Sequence, residues 1–220
     1  MRKFLLVICV IVIIILIALI AAISGYKTLI KERNFMQEKD LNGKSVAMII
    51  AFRDFRDEEY FIPKQILESA GARITTVSSS LGKAVGKLGG DTDVNILLED
   101  LNVLDYDAIL FIGGPGAYNY FDNETAHKIA KTTVENDKIL GAICIAPAIL
   151  AKAGVLKGKK ATVWSSLMDK SAVKILEEGG AIFQSEPVVV DGKIITASGP
   201  LAAKEFANAI INLLSFNKND

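Results

Sequence analysis

From residue 45 onward, short unbroken runs of apolar and β-branched residues alternate with stretches of helical spacing. The strand-like runs are SVAMIIAF (45–52), RITTVSSS (73–80), DAILFI (107–112), KILGAI (138–143) and KKATVW (159–164). Continuous apolar runs, without polar alternation, predict strands covered on both faces, as in a parallel sheet. Between them lie segments of helical spacing: EEYFIPKQILESAGA (58–72, with Pro63 in its first turns), DNETAHKIAKTTVEN (122–136), APAILAKAG (146–154) and SAVKILEEGGA (171–181). Asp122 or Asn123 is the expected cap of the second. Asp191-Gly192 between two β-rich runs predicts a hairpin, and PLAAKEFANAIINLLSF (200–216) closes the chain as an amphipathic helix. Strands and helices in this alternation imply an α/β domain whose mostly parallel sheet lies between helical layers.

Ahead of this pattern, residues 4–23 (FLLVICVIVIIILIALIAAI) carry no charge, Pro or Gly. Twenty apolar residues in a helix span about 30 Å of hydrocarbon, so the run predicts a single-pass membrane anchor. The competing reading is a cleaved signal peptide, with Arg2 and Lys3 as its basic start and a cut after Ser24; the length of the run favours the anchor. Basic residues flank the run on both sides (Arg2 and Lys3; Lys27, Lys31, Arg33 and Lys39) and leave the side of the membrane open. The expected organisation is an anchor at 1–24, a polar linker at 25–44, the α/β domain at 45–216 and a polar tail at 217–220.

Cys9 lies inside the apolar run, which leaves Cys144 as the domain's one cysteine and His127 as the chain's one histidine. That rules out a disulfide within the domain and predicts no cysteine- or histidine-based metal site. A formal net charge of zero and no basic aromatic stretch give nucleic-acid binding no support.

Ligands of open α/β sheets bind beyond the carboxyl ends of the strands, so chemistry is sought in the turns that follow them. Three turns carry unusual residues: RDFRDEE (53–59), GGPGA (113–117) and CIAP (144–147). A cysteine between strand and helix places its sulfur near unpaired N–H groups and the amino end of a helix dipole, both of which favour the reactive thiolate. The alternative is a small apolar core residue. GGPGA brings backbone N–H groups close enough to bind an oxyanion, or is a plain tight turn.

In combination, FRDEEYFIPKQILESAGARITTVS, DYDAILFIGGPGA, AICIAPAILAKAGVLKGKKAT and VVVDGKIITASGP resemble, in order and spacing, the DJ-1/PfpI (ThiJ/PfpI) family over about residues 45–216. The resemblance implies a flavodoxin-like three-layer sandwich of the class I glutamine amidotransferase type. It also implies that Cys144 is a reactive cysteine and that Glu59 is the carboxyl group hydrogen-bonded to its sulfur. Glu58 is the alternative one position away, and helix register favours Glu59. Gly114 and Ile145 would supply oxyanion N–H groups, with Gly113 and Trp164 at the pocket; for Trp164 plain core packing is equally open. A protonated glutamic acid can donate to a thiolate, which calls for a raised carboxyl pKa and a lowered thiol pKa.

The chain also departs from the family's pattern. Protease-like members carry His directly after the cysteine, where this chain has Ile145, and another branch has His where Trp164 stands. His127 falls in the helix after GGPGA, where it reads as a helix-surface residue. The family routes to a Cys-His dyad are therefore closed within one chain, which leaves a Cys-Glu pair with no evident base. The resemblance implies action on small carbonyl compounds or glycated groups, without cofactor or metal. Its alternatives are a non-catalytic redox sensor whose cysteine meets an oxidant and, disfavoured by Ile145, a cysteine peptidase. It further implies a homo-oligomer, in which a second copy could supply a group the single chain lacks.

Overall fold

β1 (Ser45–Ile49) is buried along its whole length and lies near the middle of a seven-stranded sheet, paired in parallel with β3 (Arg73–Ser78) and β7 (Ala108–Phe111). Such a strand has no polar face to offer water, which is why its sequence reads as an unbroken apolar run. Beyond β7 follow β8 (Ile139–Ile143), β12 (Ile194–Ala197) and the antiparallel edge strand β11 (Val188–Asp191); beyond β3 lies β6 (Ile96–Leu97). All pairings but β11–β12 are parallel. The computed structural model describes residues 19, 23–27 and 40–216, and the chain divides into units Met1–Asp40 and Leu41–Asp220.

Five helices follow the strands: α1 (Asp57–Ser69), α2 (Glu124–Glu135), α3 (Pro147–Lys152), α4 (Ser171–Glu178) and α5 (Ala203–Phe216). α1 packs on α5, while α2, α3 and α4 pack in succession, giving a helical layer on either side of the sheet. Fully buried Leu, Ile, Met and Phe side chains, among them Met48, Ile109, Leu110, Phe111 and Phe206, form the two interfaces. Each contributes about 1.5–3 kcal/mol through removal of its apolar surface from water. Asn123, of the two candidates, caps α2, its side chain accepting from the Ala126 N–H at 2.8 Å.

The topology places the site. From β1 the chain crosses to β3 on one side, then returns to β7 on the other, so strand order reverses around β1. Crossovers diverge at such a point and leave a crevice at the carboxyl ends of the strands. The turns after β1, β7 and β8 all open there.

Two features depart from the sequence expectation. KKATVW is a strand only at β9 (Lys160–Ala161), which pairs with β10 (Ile182–Phe183) in a separate two-stranded sheet, so Trp164 stands in the segment beyond it. Residues 53–94 also contain a three-stranded sheet absent from that expectation: β2 (Arg53–Phe55) pairs with β4 (Gly82–Gly86), which forms a hairpin with β5 (Asp91–Val94).

The anchor expected at 4–23 falls almost wholly outside the described residues, as do most of the linker and the tail at 217–220. Residues 23–27 are helical and exposed. No described helix is long and apolar enough to cross a membrane.

Candidate active site

Cys144 follows β8 directly and has φ of +65°, a left-handed conformation that costs a residue with a side chain about 1–2 kcal/mol. Two hydrogen bonds hold it there: its N–H donates to the Ala197 carbonyl at the end of β12 (2.8 Å), and its carbonyl accepts from the Trp164 N–H (2.8 Å). Such strain persists only where the surroundings over-determine it. The sharp turn leaves the residue 9% exposed at the floor of the crevice. α3, which begins three residues later, is only six residues long, so the macrodipole anticipated from the sequence is slight. The backbone N–H groups of Gly114 and Ile145 face the sulfur instead.

Glu59 lies in the first turn of α1 and is completely buried. Its neighbour Glu58 turns outward and is held by Arg56, with Nε donating to Oε2 at 2.8 Å and Nη2 to Oε1 at 3.1 Å. Local packing separates these two adjacent carboxylates. Asp57 is also buried; its carboxylate accepts from the Leu88 and Gly90 N–H groups, each at 2.7 Å, and ties the start of α1 to the β4–β5 turn. With Asp57 fixed in the small sheet and Glu58 on Arg56, Glu59 is directed at the elbow.

Neither carboxyl oxygen of Glu59 has a hydrogen-bond partner among the described residues, so the bond to the Cys144 sulfur that the resemblance implies is not formed in this structure. Burial raises its pKa from the ordinary 4.5 to about 7; the Cys144 thiol, Arg56 and the Gly113 N–H pull it down, and the charge of Glu58 pushes it up. The Cys144 thiol is also raised, first by burial and then by the charge and hydrogen bonding of Glu59, against a smaller lowering by the Gly114 and Ile145 N–H groups. The expected fall of the thiol pKa is therefore reversed in the resting pair. The physical reason is that Glu59 loses its proton first, and a thiolate would then have to form beside a buried negative charge.

The GGPGA turn leaves the space between the two side chains open. A Cβ on Gly113 would lie 2.6 Å from the Cβ of Cys144 and 2.6 Å from Oε2 of Glu59, so a side chain there would occupy the space between them. Gly114 has φ of +101°, and a Cβ on it would lie 2.4 Å from the Arg56 nitrogen. The Arg56 N–H in turn donates to the Gly113 carbonyl at 3.0 Å, fastening α1 to this turn.

Trp164 is half-buried, its ring edge 3.6 Å from where a Cβ on Gly199 would stand. His127 is in α2 and its Nε2 is hydrogen-bonded with the Phe121 carbonyl at 2.8 Å, a contact within its own stretch of chain. Among the described residues no group of three or more His, Cys, Asp or Glu is placed to hold a metal ion. Arg56 and Asp57 are the parts of the site that sequence reasoning missed. Both lie inside FRDEEYFIP, yet composition alone does not tell a buried carboxylate there from an exposed one.

The family model for the DJ-1/PfpI family matches residues 44–213. An uncharacterized protein of Methanocaldococcus jannaschii is 40% identical over 189 residues, 86% of this chain and 90% of that protein. A deglycase of Thermococcus kodakarensis is 30% identical over 153 residues, 70% of this chain and 89% of its own length. A ThiJ/PfpI domain protein from Brachyspira murdochii has the same fold in its crystal structure, with a TM-score of 0.74 and 35% identity over 77% of this chain and 95% of that one.

Proposed function

The chain belongs to the DJ-1/PfpI family, and from that premise we propose that it is a cysteine-dependent enzyme acting on small carbonyl compounds or glycated groups, with Cys144 as nucleophile and Glu59 as the proton-transfer group. The observation that carries this reading is the fully buried Glu59 carboxyl, which shares with Cys144 the space left open at Gly113; burial also raises its pKa to about 7. A carboxylate of that basicity stands where a histidine would otherwise be needed, since the useful base is the one whose pKa lies near the working pH. Ile145 in place of His removes the imidazole; burial of Glu59 supplies a base of similar strength.

Ionised Glu59 takes the thiol proton as the sulfur bonds to the carbonyl carbon. The carbonyl π pair moves onto oxygen, where the Gly114 and Ile145 N–H groups receive it. Return of the proton to that oxygen gives a hemithioacetal without change in overall oxidation state. With a 2-oxoaldehyde, Glu59 can next carry a proton from the aldehyde carbon to its neighbour while the hydroxyl proton passes from the first oxygen to the second, which leaves a thioester of a 2-hydroxy acid. Water then releases the acid and restores the thiol, so one water is added in all and no external oxidant is required. Glycated amino and thiol groups are adducts of such carbonyls, in keeping with the deglycase among the relatives.

A redox-sensing role is less well supported, because peroxide reacts with thiolate, and burial and then the charge of Glu59 both disfavour that form. A peptidase role lacks an imidazole to protonate the leaving amine. We further propose that the apolar run 4–23 tethers the domain to a membrane and that the chain works as a homo-oligomer, to be checked by membrane fractionation and by mass in solution.

The decisive experiment compares wild type, Cys144→Ser and Glu59→Gln on methylglyoxal, a glycated peptide and an unmodified peptide. Carbonyl turnover should vanish in Cys144→Ser and fall about 100-fold in Glu59→Gln, the usual worth of a positioned base. Turnover that survives in Cys144→Ser overturns the proposal.

A further inference from the structure

We propose that the Arg56 guanidinium is an anion-binding subsite beside the Cys144 elbow, filled in the resting chain by the Glu58 carboxylate, and that it favours carbonyl compounds that also carry a carboxylate. The inference rests on the reading of Cys144 as a nucleophile toward carbonyls, and it specifies which carbonyls.

Arg56 is the residue that precedes α1, three positions before Glu59. Its backbone is extended, so it stands just outside the helix. The Arg56 N–H bonds to the Gly113 carbonyl, next to the Gly114 whose own N–H faces the sulfur. Exposure rises along this path: Glu59 is fully buried, Cys144 is 9% exposed and the Arg56 side chain is 33% exposed. The cation is therefore the most exposed of the three.

The grip on Glu58 shows what the guanidinium is shaped to hold. Nε and Nη2 each donate to a different oxygen of one carboxylate, the two-pronged geometry suited to planar oxyanions. The pair is one-third exposed on both sides, and exposed ion pairs of this kind are weak, so an incoming carboxylate can replace Glu58. The field of Arg56 also reaches Glu59 and Cys144. Nearby, Asp54 and Lys87 lie 3.8 Å apart as a pair of their own, and the Asp57 carboxylate is taken up by the Leu88 and Gly90 N–H groups. A carboxylate held there would bring its own carbonyl group toward Cys144, and Arg56 would offset the negative charge added as sulfur attacks. Glu58 would hold the guanidinium in orientation until such a ligand arrives.

The test is alkylation of Cys144 in the full chain, which needs no turnover. Rates with iodoacetate and with iodoacetamide are measured for wild type, Arg56→Gln, Arg56→Lys and Glu58→Gln, folding being checked by circular dichroism. The iodoacetate-to-iodoacetamide ratio should fall threefold or more in Arg56→Gln, recover only in part in Arg56→Lys and rise in Glu58→Gln. Glyoxylate should protect Cys144 of the wild type from iodoacetamide at concentrations that leave Arg56→Gln unprotected. A ratio that changes less than threefold in Arg56→Gln, or equal protection of the two proteins by glyoxylate, overturns the subsite. Absence of Cys144-dependent carbonyl turnover would instead count against the enzyme itself, so the two failures are distinguishable.

Discussion

Oε2 of Glu59 and Cβ of Cys144 each lie 2.6 Å from the point where a side chain on Gly113 would begin, one reaching it from the start of α1 and the other from the end of β8. The carboxyl and the thiol thus converge on a place kept free by the absence of a side chain. Burial then sets the chemistry, because two acids that share a dry pocket cannot both be charged at low cost.

The pKa of Glu59 makes stability depend on pH in an uncommon direction. Its value rises from 4.5 to about 7 on folding, so between those limits the folded state keeps a proton that the unfolded chain has released. The contribution is fully present below the unfolded value and is lost as pH rises through about 7, by on the order of 3 kcal/mol. Denaturant midpoints at about pH 5 and about pH 8 should therefore converge in Glu59→Gln relative to wild type. Equal pH dependence of the two proteins would contradict the raised pKa.

Glu59→Gln should also separate nucleophile ionisation from catalysis. The negative charge of Glu59 is, after burial, the main influence that raises the thiol. Its removal should lower the pH midpoint of Cys144 alkylation by about one unit even as carbonyl turnover collapses. Iodoacetamide kinetics across pH, read beside the activity assay, give both quantities. An upward shift of the midpoint would mean that Glu59 holds the thiolate as a protonated donor in the resting state.

Gly113→Ala should disrupt the pair from outside it. A methyl group at that position meets both partners and the Ile143 carbonyl, 2.7 Å away, so something must move. Overpacking of this sort costs about 1–3 kcal/mol. Thermal denaturation should register that loss, and turnover should fall about tenfold or more as Glu59 and Cys144 are pushed apart. Full activity would place the working geometry elsewhere.

The elbow strain predicts an inverted ranking of substitutions. Cys144→Gly removes the cost of φ at +65°, whereas Cys144→Ala keeps it. After allowance for the extra chain entropy of glycine, Cys144→Gly should be the more stable by about 0.5–1 kcal/mol, although glycine normally weakens a protein relative to alanine. Urea midpoints of the two variants decide it.

The strand and helix alternation of residues 45–216 was legible because each element carries its own signal: the unbroken run of β1 needs cover on both faces, and Asn123 caps α2 with its own side chain. The β2–β4–β5 sheet was not. Its strands are short and polar, with Ala84, Val94 and Phe55 as their buried apolar residues, and they exist because they close over the start of α1. GKAVGKLGGDTDV does contain a Gly-rich hairpin turn that could have announced it.

For the site, sequence determined the residue types and their order: a cysteine at a strand-to-helix turn, a carboxylate pair at a helix start, and glycines between them. Helix register already favoured Glu59 over Glu58; tertiary structure alone decided that its carboxyl is sealed from water, that its pKa reaches about 7, and that the thiol is raised with it. Those outcomes depend on how completely water is excluded around one side chain. That exclusion sums contributions from α1, the small sheet, the β7 turn and the β8 elbow, which are distant in the chain and become neighbours only when it folds.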